Sequence, residues 1–274
     1  MKNLSNAAPA GRERYLRRLA ATALCFAVFG AGCLGLSLIA IPAAWLLPGD
    51  AAARRLRVRR TIGRALRWFA SFTRAAGLLS FEVQGIENLG RPGQLILANH
   101  PTLVDAVLLL GLTPSSTCVV KQALWHNPFT RWLVAAAGYV SNSPADRMIE
   151  GASEALLAGR SVIIFPEGTR TVPGRPLQFH RGAAAIAVRA ATVVTPVYIR
   201  CSPSMLTKGD PWYRIPGRPS HFSVRAGPDL DPEPFRRGAP APIAARELNE
   251  RLMQVFTEEL SPAGPPGRSS MLKE

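Results

Sequence analysis

Cysteine, carboxylates and long apolar runs are all scarce in this chain of 274 residues, and each scarcity removes a class of protein. Four cysteines with no CxxC spacing do not make a disulfide framework. Cys25 and Cys33 fall inside an apolar stretch, while Cys118 and Cys201 stand alone. The thiols therefore read as reduced and the protein as facing the cell interior. Only 18 Asp and Glu stand against 33 Lys and Arg, a formal net charge of +15. Such an excess calls for a polyanionic surface or substrate, either nucleic acid or anionic lipid. Nothing resembles a zinc finger, an RNP motif or a basic zipper, so no nucleic-acid partner is expected and lipid is left. A single stretch is apolar enough to enter a bilayer, which excludes a polytopic transporter. With 47% hydrophobic and 19% charged residues, intrinsic disorder and a collagen-like repeat are excluded too.

What is present begins with that stretch. From Leu19 to Leu47 no residue is charged. As a helix the run would measure about 44 Å, against a hydrocarbon core of about 30 Å. It is too long for a signal-peptide core. Gly30, Gly32 and Gly35 loosen its middle, and Pro42 and Pro48 interrupt its end. Basic residues flank it on both sides: Lys2, Arg12, Arg14, Arg17 and Arg18 before it, and Arg54, Arg55, Arg57, Arg59, Arg60, Arg64, Arg67 and Arg74 after it. A single span would place one cluster outside, against the positive-inside tendency. A helical hairpin bent near the glycines keeps both on the cytoplasmic face and is the preferred reading, with a single span as the alternative. Residues 54–79 continue as a basic amphipathic helix, with Leu56, Ile62, Leu66, Phe69 and Phe72 at helical spacing. Beside an inserted segment, such a helix is expected to lie in the headgroup layer rather than against the globular part.

From about Leu79, short apolar runs alternate with helical patterns. Strands are expected at 81–83, 95–98, 116–120, 161–165, 193–199 and 222–226, and helices at 104–110, 146–158, 182–191 and 243–260. That alternation predicts one α/β domain with a mixed, largely parallel sheet flanked by helices. The chain then divides into a basic N-terminal tail (1–18), a membrane-inserted and basic amphipathic helical segment (19–78), the globular domain (79–260) and a Pro/Gly-rich tail (261–274) expected to be disordered.

In open α/β sheets the reactive groups gather where strands end. Asn99-His100-Pro101-Thr102-Leu103-Val104-Asp105 follows one expected strand. His100 and Asp105, five apart, would be separated by about 140° on a regular helix and could not pair there. If Pro101 opens the helix, His100 lies outside it and its ring can fold back to Asp105. An aspartate on one ring nitrogen leaves the other basic. That is the base-and-orienter half of a triad, without a Ser or Cys nucleophile nearby in sequence, and suits deprotonation of a substrate hydroxyl. A purely structural histidine is the alternative. A metal site is a weaker one, because His126, His180 and His221 lack ligand spacing. Phe165-Pro166-Glu167-Gly168-Thr169-Arg170 ends another strand and offers a turn, an acceptor and a guanidinium suited to phosphate or carboxylate. Val194-Thr195-Pro196-Val197-Tyr198-Ile199 is an apolar strand with an internal proline.

Together, in this order, these blocks resemble the glycerolipid acyltransferase family of lysophosphatidic acid acyltransferases, over roughly residues 81–200. The resemblance implies an acyl-CoA or acyl-carrier-protein co-substrate, no metal or bound cofactor, a membrane lipid acceptor and catalysis at the cytoplasmic face of a membrane. By it, His100 is the general base and Asp105 its orienter, while Glu167, Gly168, Thr169 and Arg170 bind the acceptor. Lys121 and Arg181 are additional cations that would meet a substrate phosphate. One departure bears on the acceptor. Many members carry an arginine directly after an apolar segment between the two main motifs. Here Gly138-Tyr139-Val140-Ser141-Asn142-Ser143-Pro144 stands in its place, and Arg147 comes a few residues later. Lysophosphatidic acid is therefore the default acceptor, and another lyso-lipid or a hydroxylated or aryl-lipid acceptor the alternative. Two further functions compete: a non-catalytic basic membrane-binding protein, and a thioesterase that transfers the acyl group to water.

Overall fold

The computed structural model describes residues 9–172 and 174–261. The expected disordered tail beyond Ser261 and the first eight residues of the basic N-terminal tail lie outside them. Helix α1 (Pro9–Gly35) runs unbroken through Gly30 and Gly32 and continues through a π-helical turn, Leu36–Ala40, into α2 (Ile41–Leu46). The expected bend near the glycines is therefore absent. No atom would crowd a Cβ at Gly30, Gly32 or Gly35, so these glycines sit in an ordinary helix. The chain reverses instead at 47–50, where Pro48 ends the helical run and Asp50 caps α3 (Ala51–Ala75) by accepting from the Ala53 amide at 2.7 Å. Arg57 closes the corner by donating to the carbonyls of Pro48 (2.8 Å) and Leu47 (3.1 Å). Glu13–Leu46 is the one helical stretch among the described residues long and apolar enough to cross a membrane, and only 11% of its most apolar part is buried.

The globular part is a seven-stranded sheet in the order β1-β7-β6-β2-β5-β3-β4. Its strands are β1 (Leu79–Gln84), β2 (Gln94–Ala98), β3 (Thr117–Val120), β4 (Val140–Ser141), β5 (Val162–Ile164), β6 (Val193–Ser202) and β7 (Ser220–Ala226). Every pairing is parallel except β6 with β7. Strands β2 and β5 are apolar without alternation because both faces are covered. Leu95 and Leu97 point into a core shared with α7 (Ala145–Leu157), α8 (Gly182–Ala190) and α10 (Ala241–Leu260). Ile96, Ala98 and Ile163 face the other way, onto α3, α4 (Asp105–Leu112) and α6 (Arg131–Ala137). Two short helices, α5 (Ala123–His126) and α9 (Glu233–Gly238), complete the layers. The sequence pattern missed α5, α6, β4 and α9, elements of two to seven residues that are too short for a period to register.

The amphipathic helix belongs to this second core. Val58, Ile62 and Ala70 of α3 are buried against α4 and its neighbours. Arg59 is buried as well, donating to the carbonyls of Ser115 and Ala137 at 3.0 Å each. Arg67 grips Gly111 O with two nitrogens at 3.0 and 2.9 Å. Helix α3 thus packs on the domain rather than lying free in a headgroup layer, and the division at residue 79 marks no break in the packing.

Candidate functional site

The carboxyl ends of β2, β5, β3, β4 and β6 share one edge of the sheet, because those five strands run the same way. Beyond β2 the chain does not enter a helix at Pro101. Residues 99–104 form a loop, and α4 begins only at Asp105. Asp105 is therefore a first-turn acid, in keeping with the helix expected at 104–110 and not with a helix opened at Pro101. The loop lets the His100 ring fold back, and Nδ1 meets Asp105 Oδ2 at 2.9 Å. Thr102 completes the cage: its amide donates to Oδ2 (2.6 Å) and its hydroxyl to Oδ1 (2.7 Å). The Asp105 side chain is fully buried, while that of His100 is 17% exposed. A carboxylate can only accept, so the shared proton lies on Nδ1 and Nε2 is the basic nitrogen. The ring is also held flat against Phe165, with centroids 4.3 Å apart.

The second segment follows β5. Gly168 has φ +63°, which a side chain would rarely adopt, and its missing Cβ leaves room for the His180 ring. This turn sends the residues on either side of it in different directions. Glu167 points inward, where Oε1 accepts from the His100 amide (2.9 Å) and the Thr171 hydroxyl (2.8 Å). Thr171 N donates to His100 O at 2.7 Å, so the two motif loops are laced together. Burial pushes the Glu167 carboxyl above its ordinary value, and the two hydrogen bonds oppose that shift. Of Glu167, expected among the groups binding the acceptor, Oε1 is engaged by the histidine's own backbone. Thr169 is half-buried in the turn and Gly168 is exposed.

Arg170 points the other way. Its Nη1 donates to Leu206 O (2.7 Å) and Thr207 O (2.9 Å) in the loop after β6. Among the described residues Nε and Nη2 make no hydrogen bond, so one side of the fork is anchored and the other is left without a hydrogen bond. Lys121 after β3, Arg147 in the first turn of α7 and Arg181 preceding α8 are all exposed at this same edge. They make a cationic rim, with no bond to the His100–Asp105–Glu167 group among the described residues. The residues 138–144 put Ser141 and Asn142 beside it, and Asn142 Oδ1 accepts from the Gln122 amide at 3.0 Å. Among the described residues no three His, Cys, Asp or Glu side chains are grouped to hold a metal ion.

The sequence pattern by itself assigns no task to Asn99 or Thr102. Asn99 pairs through its amide with both backbone groups of Ile199, at 2.8 and 2.7 Å, pinning the end of β2 to β6. Thr102 was findable, since Thr102-x-x-Asp105 is the spacing of a capping box. Thr171, and the carbonyls of Leu206 and Thr207, had no such signal.

Chemically, the site offers an oriented base at the floor, a half-anchored guanidinium beside it and cations at the rim. Residues 80–200 match the model of a family described as Acyltransferase. A 1-acyl-sn-glycerol-3-phosphate acyltransferase of Pseudomonas aeruginosa is 28% identical over 217 residues, 77% of this chain and 80% of that protein. A lyso-ornithine lipid O-acyltransferase of the same organism is 35% identical over 181 residues, 63% of this chain and 65% of that protein. The chloroplastic 1-acyl-sn-glycerol-3-phosphate acyltransferase of Arabidopsis thaliana is 28% identical over 137 residues, and the match spans only 38% of its length. In fold, the chain resembles the crystal structure of the 1-acyl-sn-glycerophosphate (LPA) acyltransferase from Thermotoga maritima. The TM-score is 0.68 at 23% identity, over 90% of this chain and 97% of that one.

Proposed function

We propose that this chain, whose residues 80–200 match the family model described as Acyltransferase, moves an acyl chain from a thioester donor, acyl-CoA or acyl-carrier protein, to the hydroxyl of a membrane lyso-lipid. The observation that carries this reading is the His100–Asp105 pair, caged by Thr102, which leaves Nε2 as the basic nitrogen of a partly exposed ring. The acceptor hydroxyl gives its proton to Nε2 as its oxygen attacks the thioester carbonyl. Collapse of the tetrahedral intermediate expels the thiolate, which takes the proton back from Nε2. Asp105 stabilises the imidazolium between those two events. Arg170 offers its free fork to an anionic group on the acceptor, and Lys121, Arg147 and Arg181 draw anionic donors toward the mouth. The apolar helix Glu13–Leu46 holds the protein in the membrane, with the site on the cytoplasmic side.

Lysophosphatidic acid is the first acceptor to try, giving phosphatidic acid. A second reading, a lyso-lipid without a phosphate headgroup, is favoured by one observation. Where an arginine is expected after an apolar segment between the two main motifs, this chain carries Ser141, Asn142 and Ser143, and Asn142 is engaged with Gln122. The test offers purified protein and a labelled acyl thioester a panel of lyso-lipids with phosphate, phosphodiester and amino-acid headgroups, with products read by mass. Product on lysophosphatidic acid alone supports the first reading, and product on the amino-acid lipid alone the second. Thiol release without any acylated lipid sinks both in favour of hydrolysis.

A further inference from the structure

Between β6 and β7 the chain makes a long excursion, residues 203–219, that is bonded at both ends to other parts of the molecule. At the near end, Leu206 O accepts from Arg170 Nη1 and from the Leu103 amide, at 2.7 and 3.2 Å. Leu103 lies in the loop between His100 and Asp105, so one carbonyl touches both motif segments. Leu206 is buried and has φ +48°, the single non-glycine residue with positive φ among the described residues. A leucine held in that region is uncommon, and it persists only where the surroundings impose it. Here it turns the carbonyls of 206 and 207 onto the same guanidinium nitrogen. Asp210 locks the turn, accepting from Thr207 N (3.1 Å) and from the Thr207 hydroxyl.

At the far end the excursion is held by α1. Arg18 donates to Pro216 O at 2.8 Å, and the Tyr15 hydroxyl reaches Tyr213 O at 3.4 Å. The Phe26 ring meets Trp212 edge-on, with centroids 6.1 Å apart. The apolar helix is thus joined to the Arg170 side chain by about ten residues of ordered chain.

We propose that residues 206–216 act as a strut through which α1 sets the position of Arg170, with Leu206 as the positioning residue. This rests on the reading of Arg170 as a ligand of the acceptor. A guanidinium anchored at one nitrogen pivots about that anchor, so the paired carbonyls fix where its free side points. A misplacement of about 1 Å at a reacting or binding group can cost about a hundredfold in rate. The strut therefore links acceptor use to how the apolar helix is seated.

The experiment uses the full chain in phosphatidylcholine vesicles carrying lysophosphatidic acid, with acyl-CoA as donor, and reads the Michaelis constant of each substrate separately. Melting temperatures confirm that each variant is folded. Leu206→Val, β-branched and averse to positive φ, is expected to raise the acceptor constant about tenfold and leave the donor constant and the pH–rate profile in place. Leu206→Gly, free to keep φ +48°, is expected to stay within about fivefold of wild type. The remote pair Arg18→Ala with Trp212→Ala is expected to raise the acceptor constant several-fold with no change for the donor. Equal damage from Gly and Val at 206 overturns the proposal, as does an unchanged acceptor constant in the remote pair. Arg170→Ala separates the two levels. If that change spares acceptor use, the acceptor site itself was misread. If it impairs acceptor use while the loop variants do not, the strut alone falls.

Discussion

His100 carries two tasks in one residue: its ring faces Asp105 at 2.9 Å, and its amide donates to Glu167 at the same distance. The tasks separate under mutation. His100→Ala keeps the amide and loses the base, so the fold should survive while acyl transfer falls by about 10²–10⁴. Retention of more than about a tenth of the wild-type rate would contradict the base assignment. Asp105→Asn should be similarly impaired, because an amide neither stabilises an imidazolium nor fits donors on both of its atoms. Glu167 makes a prediction of the opposite kind, about stability. Its carboxyl is raised above the ordinary 4.5 by burial. The folded chain then holds this proton to higher pH than the unfolded chain does. The associated stability is complete below the unfolded value and is lost as pH rises through the folded one. Glu167→Gln keeps an oxygen for both donors and carries no charge. Its melting temperature relative to wild type should therefore rise between pH 4 and pH 7, and a difference independent of pH would show the carboxylate to be unstrained. The motif blocks single out His100, Asp105, Glu167 and Arg170 through the family they resemble, while the residue types alone leave a structural histidine open. They could not tell which of Glu167 and Arg170 faces inward, because the left-handed turn at Gly168 reverses direction between them.

Helix α3 shows what a periodic pattern does and does not encode. Its apolar stripe identified a helix correctly, but a stripe is equally suited to lipid and to another helix. The deciding residues carry no apolar signal. Gly63 lets α3 meet the α4 end of the domain backbone to backbone: a Cβ there would stand 2.4 Å from Pro114 Cβ and 2.6 Å from its Cα. Arg59 reads as surface charge in a sequence, yet it is buried on two carbonyls at the ends of neighbouring segments. The two readings of α3 predict opposite signs for one substitution. In a helix lying free at an interface, Gly63→Ala should stabilise by about 1 kcal/mol through helix propensity. Packed as observed, it should destabilise by about 1–3 kcal/mol through overpacking, seen as a lower denaturant midpoint. Arg59→Met should also destabilise, by about 1–3 kcal/mol for each carbonyl left without its donor. Because α4 begins at Asp105, a loosened α3–α4 contact should reach activity as well as stability.

At the scale of the whole molecule, the question is which part of the N-terminal region is anchor and which is domain. The sequence pattern groups an uncharged run, 19–47, and a basic amphipathic segment, 54–79, into one membrane-associated region. Packing changes in degree at 47–50: only 11% of the most apolar part of Glu13–Leu46 is buried, and it reaches the core through Cys33 and Ala44, while α3 packs along its length against α4 and α6. Truncation tests that division. A chain beginning at Asp50 keeps α3 and its cap and should remain folded. It should leave the membrane fraction and lose activity on bilayer-embedded acceptors, because both the anchor and the α1 contacts to Trp212, Tyr213 and Pro216 are gone. A chain beginning at Leu79 removes α3 too, exposing the apolar faces of α4 and α6 and leaving the Ser115, Ala137 and Gly111 carbonyls without their arginines. It should melt well below the longer chain or aggregate. High salt should not extract the full-length protein, since screening weakens the arginine contribution without touching the buried hydrocarbon contacts. Membrane retention of the Asp50 chain at high salt would show that α3 itself inserts, and equal melting temperatures for the two truncated chains would show that it is no part of the domain core.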